Sequence, residues 1–170
     1  VQSAPSITCP SPIIAEATGP DGAVVVFHAT ATDECGAAVT PSCVPPSGSK
    51  FPLGVNRVEC QFINRAGNAV ACQFTVTVRD TTSPVITLHP NDLVLTAGVE
   101  CRGAVPDFIA LHMVEATDLN GPVVLAQDPS GGSWVPAGQS QVVKLTATDG
   151  SGNASAHFVN VSVRPPAAPA

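Results

Sequence analysis

The feature that most constrains the fold is an alternation of apolar and polar residues over residues 58–80, VECQFINRAGNAVACQFTVTVRD. Val58, Cys60 and Phe62 fall on one face of the first run; Cys72, Phe74, Val76 and Val78 fall on one face of the second. A period of two over that length predicts two half-buried strands, and Ala66-Gly67-Asn68 between them supplies the positive φ that a tight reversal needs. The stretch therefore reads as a β-hairpin closing a sheet domain, with two cysteines on its buried face. About 85 residues further on the pattern returns as Val143, Leu145 and Ala147, a turn at 149–153 (DGSGN), then Val159, Val161 and Val163. Such an internal repeat predicts two small β units, residues 1–80 and 81–170.

Units of that size bury only about 60% of the surface their unfolded chains expose, so they often need covalent staples. The six cysteines can supply some, and 17 prolines and 14 glycines fit short strands joined by turns. No helical periodicity persists beyond one or two turns. Only 12% of residues are charged and the net charge is −6, which gives no electrostatic reason to bind nucleic acid or an anionic membrane. The sparse charge also leaves a surface that repels its own copies weakly. No apolar run approaches the roughly 18 residues of a membrane span. Paired cysteines in small β domains point to an oxidising compartment, hence to a secreted, extracellular or cell-surface protein. The chain is expected to begin just after a removed leader or to be cut from something longer.

Taken in order, residues 7–10 and 13–17 read as short, proline-interrupted edge strands. Residues 23–32 read as one longer strand with Val25, Phe27, Ala29 and Ala31 inward, and 39–44 as another. Residues 45–54 form a loop beneath which Phe51 is expected to tuck. Residues 80–83 are the junction, short for a flexible linker. In the second copy, 93–96 and 104–114 read as strands, the latter broken at Pro106-Asp107. EATDLNG then answers TATDECG, with Asp118 against Asp33, and 129–138 (PSGGSWVPAG) answers 46–54 (PSGSKFPLG) with one insertion. The tail, 165–170 (PPAAPA), should prefer extended polyproline II.

ITCP, the ATDECG turn, PPSGSKFPLG, RVEC, and AGNAVACQFTVTVRD followed by a P-x-I-T restart resemble the hyalin repeat (HYR) domain. The first copy carries nearly every element; the second keeps the loop and the DGSGN turn but few cysteines. The resemblance implies an all-β fold of two tandem immunoglobulin-like β-sandwich domains, the second divergent and ending in a Pro/Ala-rich tail. It also implies an adhesive or structural role on secreted or surface proteins. It is specific for fold and weak for function.

The family links the positions of Cys9, on the opening strand, and Cys72, on the closing one, strands expected to run side by side in a sandwich of this kind. Cys43 and Cys60 flank the Pro-Gly loop and close it; a competing pairing joins Cys60 to Cys72 across the hairpin. That leaves Cys35 and Cys101, one per domain. Family repeats often carry both positions in one domain and bond them there. Here Asp21 stands where the partner of Cys35 would be, and Asn120 or Leu119 where that of Cys101 would be. Three readings stand: two free thiols, an inter-domain bond, or an inter-subunit bond. The last is preferred, because an exposed thiol is a liability in an oxidising environment.

Little points to catalysis. The histidines are His28, His89, His112 and His157; His157 replaces Cys72, and His89-Pro90 resembles Cys9-Pro10, although aligning from Pro84 puts Leu88 at that place instead. Two imidazoles are too few for a closed zinc site, so no metal or other cofactor is expected. Asp33, Asp80, Asp118 and Asp149 fall at turns or the junction. There each is expected to cap its own turn, with Asp80 the best position for a calcium ion. No nucleophile elbow, carboxylate pair or nucleotide loop is recognisable, so an enzyme is not expected. Trp134 could offer sugars a platform but is expected to plug the sandwich end as Phe51 does. Asn153-Ala-Ser155 and Asn160-Val-Ser162 fit the glycosylation sequon.

The function expected is that of a self-assembling subunit of an extracellular filament or matrix, its partner mainly itself. Residues 1–8 would donate a strand to a neighbour's sheet edge, and 165–170 would lie along a neighbouring subunit. The alternative is a pair of adhesion or spacer domains in a larger secreted or surface protein that binds a protein or glycan ligand.

Overall fold

The computed structural model describes residues 4–89 and 92–166 and contains strands and turns. No helix among them is long and apolar enough to cross a membrane. The chain divides into two compact units, Val1–Thr81 and Thr82–Ala170. The expected roles for residues 1–3 and 167–170 lie outside the described residues.

The first unit contains β1 (Ser6–Thr8), β2 (Ile13–Glu16), β3 (Ala23–Val25), β4 (Thr30–Thr32), β5 (Ala38–Val39), β6 (Ser42–Val44), β7 (Ser49–Phe51), β8 (Gly54–Ile63) and β9 (Ala69–Arg79). One layer is a four-stranded sheet in the order β2-β9-β8-β6, with β2 parallel to β9. Opposite it lie β1-β4-β5 and the pair β3-β7. The alternation at 58–80 places Val58, Cys60, Phe74, Val76 and Val78 in the core, where Phe51 joins them, 1% exposed beneath its loop.

Two expected strands divide. Residues 23–32 form β3 and β4, which belong to different sheets, because the chain crosses between layers at 26–29. Ser47 Oγ holds that crossing, accepting from Phe27 N (2.9 Å) and donating to Phe27 O (2.7 Å). The facing survives the break: Val25, Ala29 and Ala31 are buried, and Phe27 meets Phe74 edge-on with centroids 4.9 Å apart. Likewise 39–44 splits at Pro41, which has no N–H for a ladder, into β5 and β6. Ser6–Thr8 pairs with β4 of its own unit, so those residues are not a strand free for donation.

The second unit contains β10 (Val85–Leu88), β11 (Leu93–Thr96), β12 (Arg102–Ala104), β13 (Val114–Thr117), β14 (Val123–Asp128), β15 (Trp134–Pro136), β16 (Ser140–Asp149) and β17 (Ala154–Arg164). Its main sheet, β11-β17-β16-β14, repeats the parallel-edge topology of the first, and β10-β13 and β12-β15 form the opposing layer. Val143, Leu145, Ala147, Val159, Val161 and Val163 are buried, as their alternation requires. The strand expected over 104–114 is absent. Asp107 Oδ1 instead accepts from Ile109 N (3.2 Å) and Ala110 N (2.9 Å), curling the chain into turns that drive Phe108 and Val105 into the core.

Gly22 shows how tightly the first unit's opposing layer closes. At φ 101° it occupies the left-handed region, and a Cβ there would lie 1.9 Å from the carbonyl oxygen of Phe51. Gly36 also has positive φ (78°) but faces open space. Gly22→Ala is therefore expected to cost about 3 kcal/mol or more, and Gly36→Ala about 1 kcal/mol, in denaturant unfolding.

Candidate functional site

Two structural devices gather the residues that the sequence singles out: a row of sulfurs across the first sheet, and a side-chain-capped turn used three times.

Cys43, Cys60 and Cys72 occupy neighbouring positions on β6, β8 and β9, with Cys43 opposite Cys60 and Cys60 opposite Cys72. Their side chains face the core. Cys60 bonds Cys43 (Cα–Cα 4.0 Å) rather than its hairpin neighbour, and Cys72 bonds Cys9 (Cα–Cα 5.9 Å). The Cys60–Cys72 alternative is thereby overturned. Cys9 follows β1, which pairs with β4 and not with β9. The Cys9–Cys72 bond thus ties one layer of the sandwich to the other instead of joining side-by-side strands.

The second unit fills the same row without sulfur. Its register puts Gln127, Leu145 and His157 at the places of Cys43, Cys60 and Cys72. On the opposing layer the β10–β13 register puts Leu88, not His89, at the place of Cys9. Two imidazoles therefore do not face each other where the disulfide would be. Leu88 packs against the core, and His89 is exposed, its backbone N–H bonded to Met113 O (3.0 Å). Gln127 replaces a staple with hydrogen bonds: its Oε1 accepts from Phe108 N (2.8 Å), and its Nε2 donates to Pro106 O (2.8 Å) and Pro129 O (3.1 Å).

The repeated turn has one chemistry. In 33–37, 64–68 and 149–153 the first side-chain oxygen accepts from the backbone N–H groups two and four residues on, at 2.8–3.1 Å. The first residue's own N–H reaches the fifth carbonyl, and the fourth residue is a glycine at positive φ (Gly36, Gly67, Gly152). Asp33, Asn64 and Asp149 are thus structural caps. Asp118 makes the first of these bonds, to Asn120 N (2.7 Å). Asp80 is half-buried at the end of the first unit, where Glu16 also accepts from Thr81 N (2.6 Å). Burial of Asp149 raises its pKa, but the bonds from the Asn153 side chain and from the N–H groups of Asn153, Ser151 and Gly152 outweigh it and hold the carboxyl below its usual value.

Cys35 and Cys101 are unbonded and exposed. Position by position, the turn at 18–22 answers that at 98–102, so Asp21 takes the place of Cys101; Asn120, not Leu119, takes that of Cys35. Trp134 does not plug the sandwich: Val135 takes the inward slot (3% exposed), while Trp134 is 57% exposed with the Arg102 guanidinium 4.0 Å from its ring centroid. Sequence reasoning missed Gln127, for which neither composition nor spacing gives a signal. A groove of about 370 Å³ in the first unit is lined by Ala4, Pro5, Glu34, Asn64, Asn68 and Val70, with one carboxylate and no nucleophile.

These features define an immunoglobulin-like β-sandwich in each unit, with the layers of the first stapled by a disulfide. Residues 2–78, nearly all of the first unit, match the HYR domain model. Over 153 residues, 87% of its length, the chain is 32% identical to hyalin of Strongylocentrotus purpuratus, and it spans 12% of that protein. Among solved structures it is similar to fibronectin(III)-like modules of Clostridium thermocellum CbhA (13% identity, 94% of this chain and 95% of that one, TM-score 0.34). It is also similar to the Ig1-2 module of the Drosophila receptor protein tyrosine phosphatase DLAR (15% identity, 95% and 99%, TM-score 0.31).

Removing the Cys9–Cys72 bond by paired Ala substitutions is expected to destabilise the first unit by roughly 3–4 kcal/mol in denaturant melts. Asp149→Asn keeps the capping oxygen, as Asn64 does, and removes the charge. Because the folded pKa lies below the unfolded one, the carboxylate's contribution is complete above about pH 4 and fades as pH falls further. The variant should be less stable than the parent at neutral pH, with the gap closing as pH falls through and below the ordinary carboxylate range in melts repeated across pH.

Proposed function

We propose that this chain is a piece of an extracellular structural or adhesive protein built from tandem HYR-type sandwiches, the second divergent. The observation that carries the reading is the family match of the first unit together with its internal disulfides, which suit a secreted or surface-exposed chain. The likeness to hyalin over both units supports the same class. The reading is non-enzymatic: the cysteines and turn residues that the sequence singled out serve the fold, as staples and turn caps. Expressed behind a secretion signal, the chain should reach the medium with both internal disulfides, Cys9–Cys72 and Cys43–Cys60, closed. Intracellular retention with reduced Cys9, Cys43, Cys60 and Cys72 would count against it.

Self-assembly into a filament or matrix is the finer reading, favoured by Cys35 and Cys101. Both thiols are exposed, and each lacks the cysteine that would pair with it inside its own unit. A Cys35–Cys101 bond between copies would make a covalent polymer. Non-reducing electrophoresis of secreted material should show a ladder that Cys35→Ser and Cys101→Ser each abolish. A wild-type monomer with two free thiols would leave the tandem spacer or adhesion domain, with a protein or glycan ligand, as the function.

A further inference from the structure

The outer face of the main sheet differs between the units in a way that packing does not explain. In the first unit its centre carries Arg57, Gln73 and Thr75, with Arg57 hydrogen-bonded to Gln73. The register of the second unit puts Val142, Phe158 and Asn160 at those three places. Phe158 is 60% exposed, Val142 54%, and Val94 on the adjoining β11 51%. Asn160 stands among them. Val142 is its direct partner across β16, Phe158 precedes it by two residues on the same face, and Val94 on β11 pairs with Ser162, two residues further on. Such a cluster facing water calls for a cover. The residue at its centre opens Asn160-Val161-Ser162, one of two N-x-S sequences in the chain.

The structure separates those two sequences at the reacting atom. The Asn153 side-chain nitrogen is committed, donating to Asp149 Oδ2 (2.9 Å) within the capped turn, and the Ser155 hydroxyl is buried. A sugar on Asn153 would break that bond and crowd the turn. The Asn160 side chain is exposed and makes no hydrogen bond among the described residues; the residue is held by its backbone N–H, which donates to Asp92 Oδ1 (3.0 Å).

We infer that Asn160 carries an N-linked oligosaccharide whose inner sugars lie over Phe158 and Val142. The inference rests on the extracellular reading, because the co-reactant is a polyprenyl-phosphate- or diphosphate-linked oligosaccharide of the secretory route. The side-chain nitrogen of Asn160 attacks the anomeric carbon of the donor sugar. The C1–O bond to phosphate breaks, the N–C1 bond forms, one proton leaves the nitrogen, and the lipid phosphate departs. The apolar faces of the first sugars then find Phe158 two residues back, about 7 Å along the strand on the same side.

The test is the full chain secreted from eukaryotic cells, beside Asn160→Gln, Ser162→Ala and Asn153→Gln. No tryptic site separates the two sequons after Lys144, so both fall in one tryptic peptide and the site is read by fragmentation. The expected result is a carbohydrate mass on Asn160 that Asn160→Gln and Ser162→Ala both lose and Asn153→Gln keeps. Amidase removal of the glycan should leave Asp at 160 and raise the binding of a hydrophobic dye. A secreted, disulfide-bonded chain with bare Asn160, or sugar confined to Asn153, overturns the glycan and leaves the extracellular reading standing. A chain retained with reduced cysteines overturns both.

Discussion

Each unit depends on one long hairpin whose two strands keep a dry face in register: β8 with β9, and β16 with β17. A slip of β9 by one residue against β8 would turn Phe74, Val76 and Val78 outward together, so burial itself enforces the register. The turn fixes where the reversal falls. Asn64 and Asp149 each gather two backbone N–H groups that would otherwise go unpaired, and the glycine in the fourth place permits the return path. The other strands are short and attach to this frame as edges or as the opposing layer.

The two units solve the joining of layers differently on the same frame. In the first, Cys72 reaches across the core to Cys9 while Cys60 closes on Cys43. In the second, Leu88 adds apolar packing and Gln127 holds the irregular chain at Pro106, Phe108 and Pro129 by three hydrogen bonds. Hydrogen bonds of this kind each contribute about 1 kcal/mol net, so the second unit leans more on its core. Phe108, fully buried, enlarges that core where the first unit has no counterpart turn.

What was legible in the sequence follows from the same physics. Inward and outward faces could be read wherever alternation ran uninterrupted, as at Val143, Leu145, Val159 and Val161. Strand limits were less legible where a run of good strand formers changes sheets, because alternation carries through the crossing at 26–29 unbroken. Local propensity also failed at 104–114, where Asp107 offers the backbone a competing set of bonds. Trp134 was misplaced since a one-residue insertion moved Val135 into the slot held by Phe51. Gln127 was invisible because its worth lies in three backbone groups distant or irregular in sequence. Alignment from Pro84 already offered Leu88 beside His89 for the place of Cys9, and the β10–β13 register decides for Leu88.

The uneven distribution of sulfur has a consequence for how such a chain matures. Residues 82–166 contain one cysteine and no crosslink among the described residues, so nothing in that half has to wait for an oxidase before its layers close. The first half reaches its final form only after electrons have left four thiols. A tandem array alternating such halves would contain segments that set immediately and segments that cure later, on a schedule governed by the redox state of the compartment through which the chain passes.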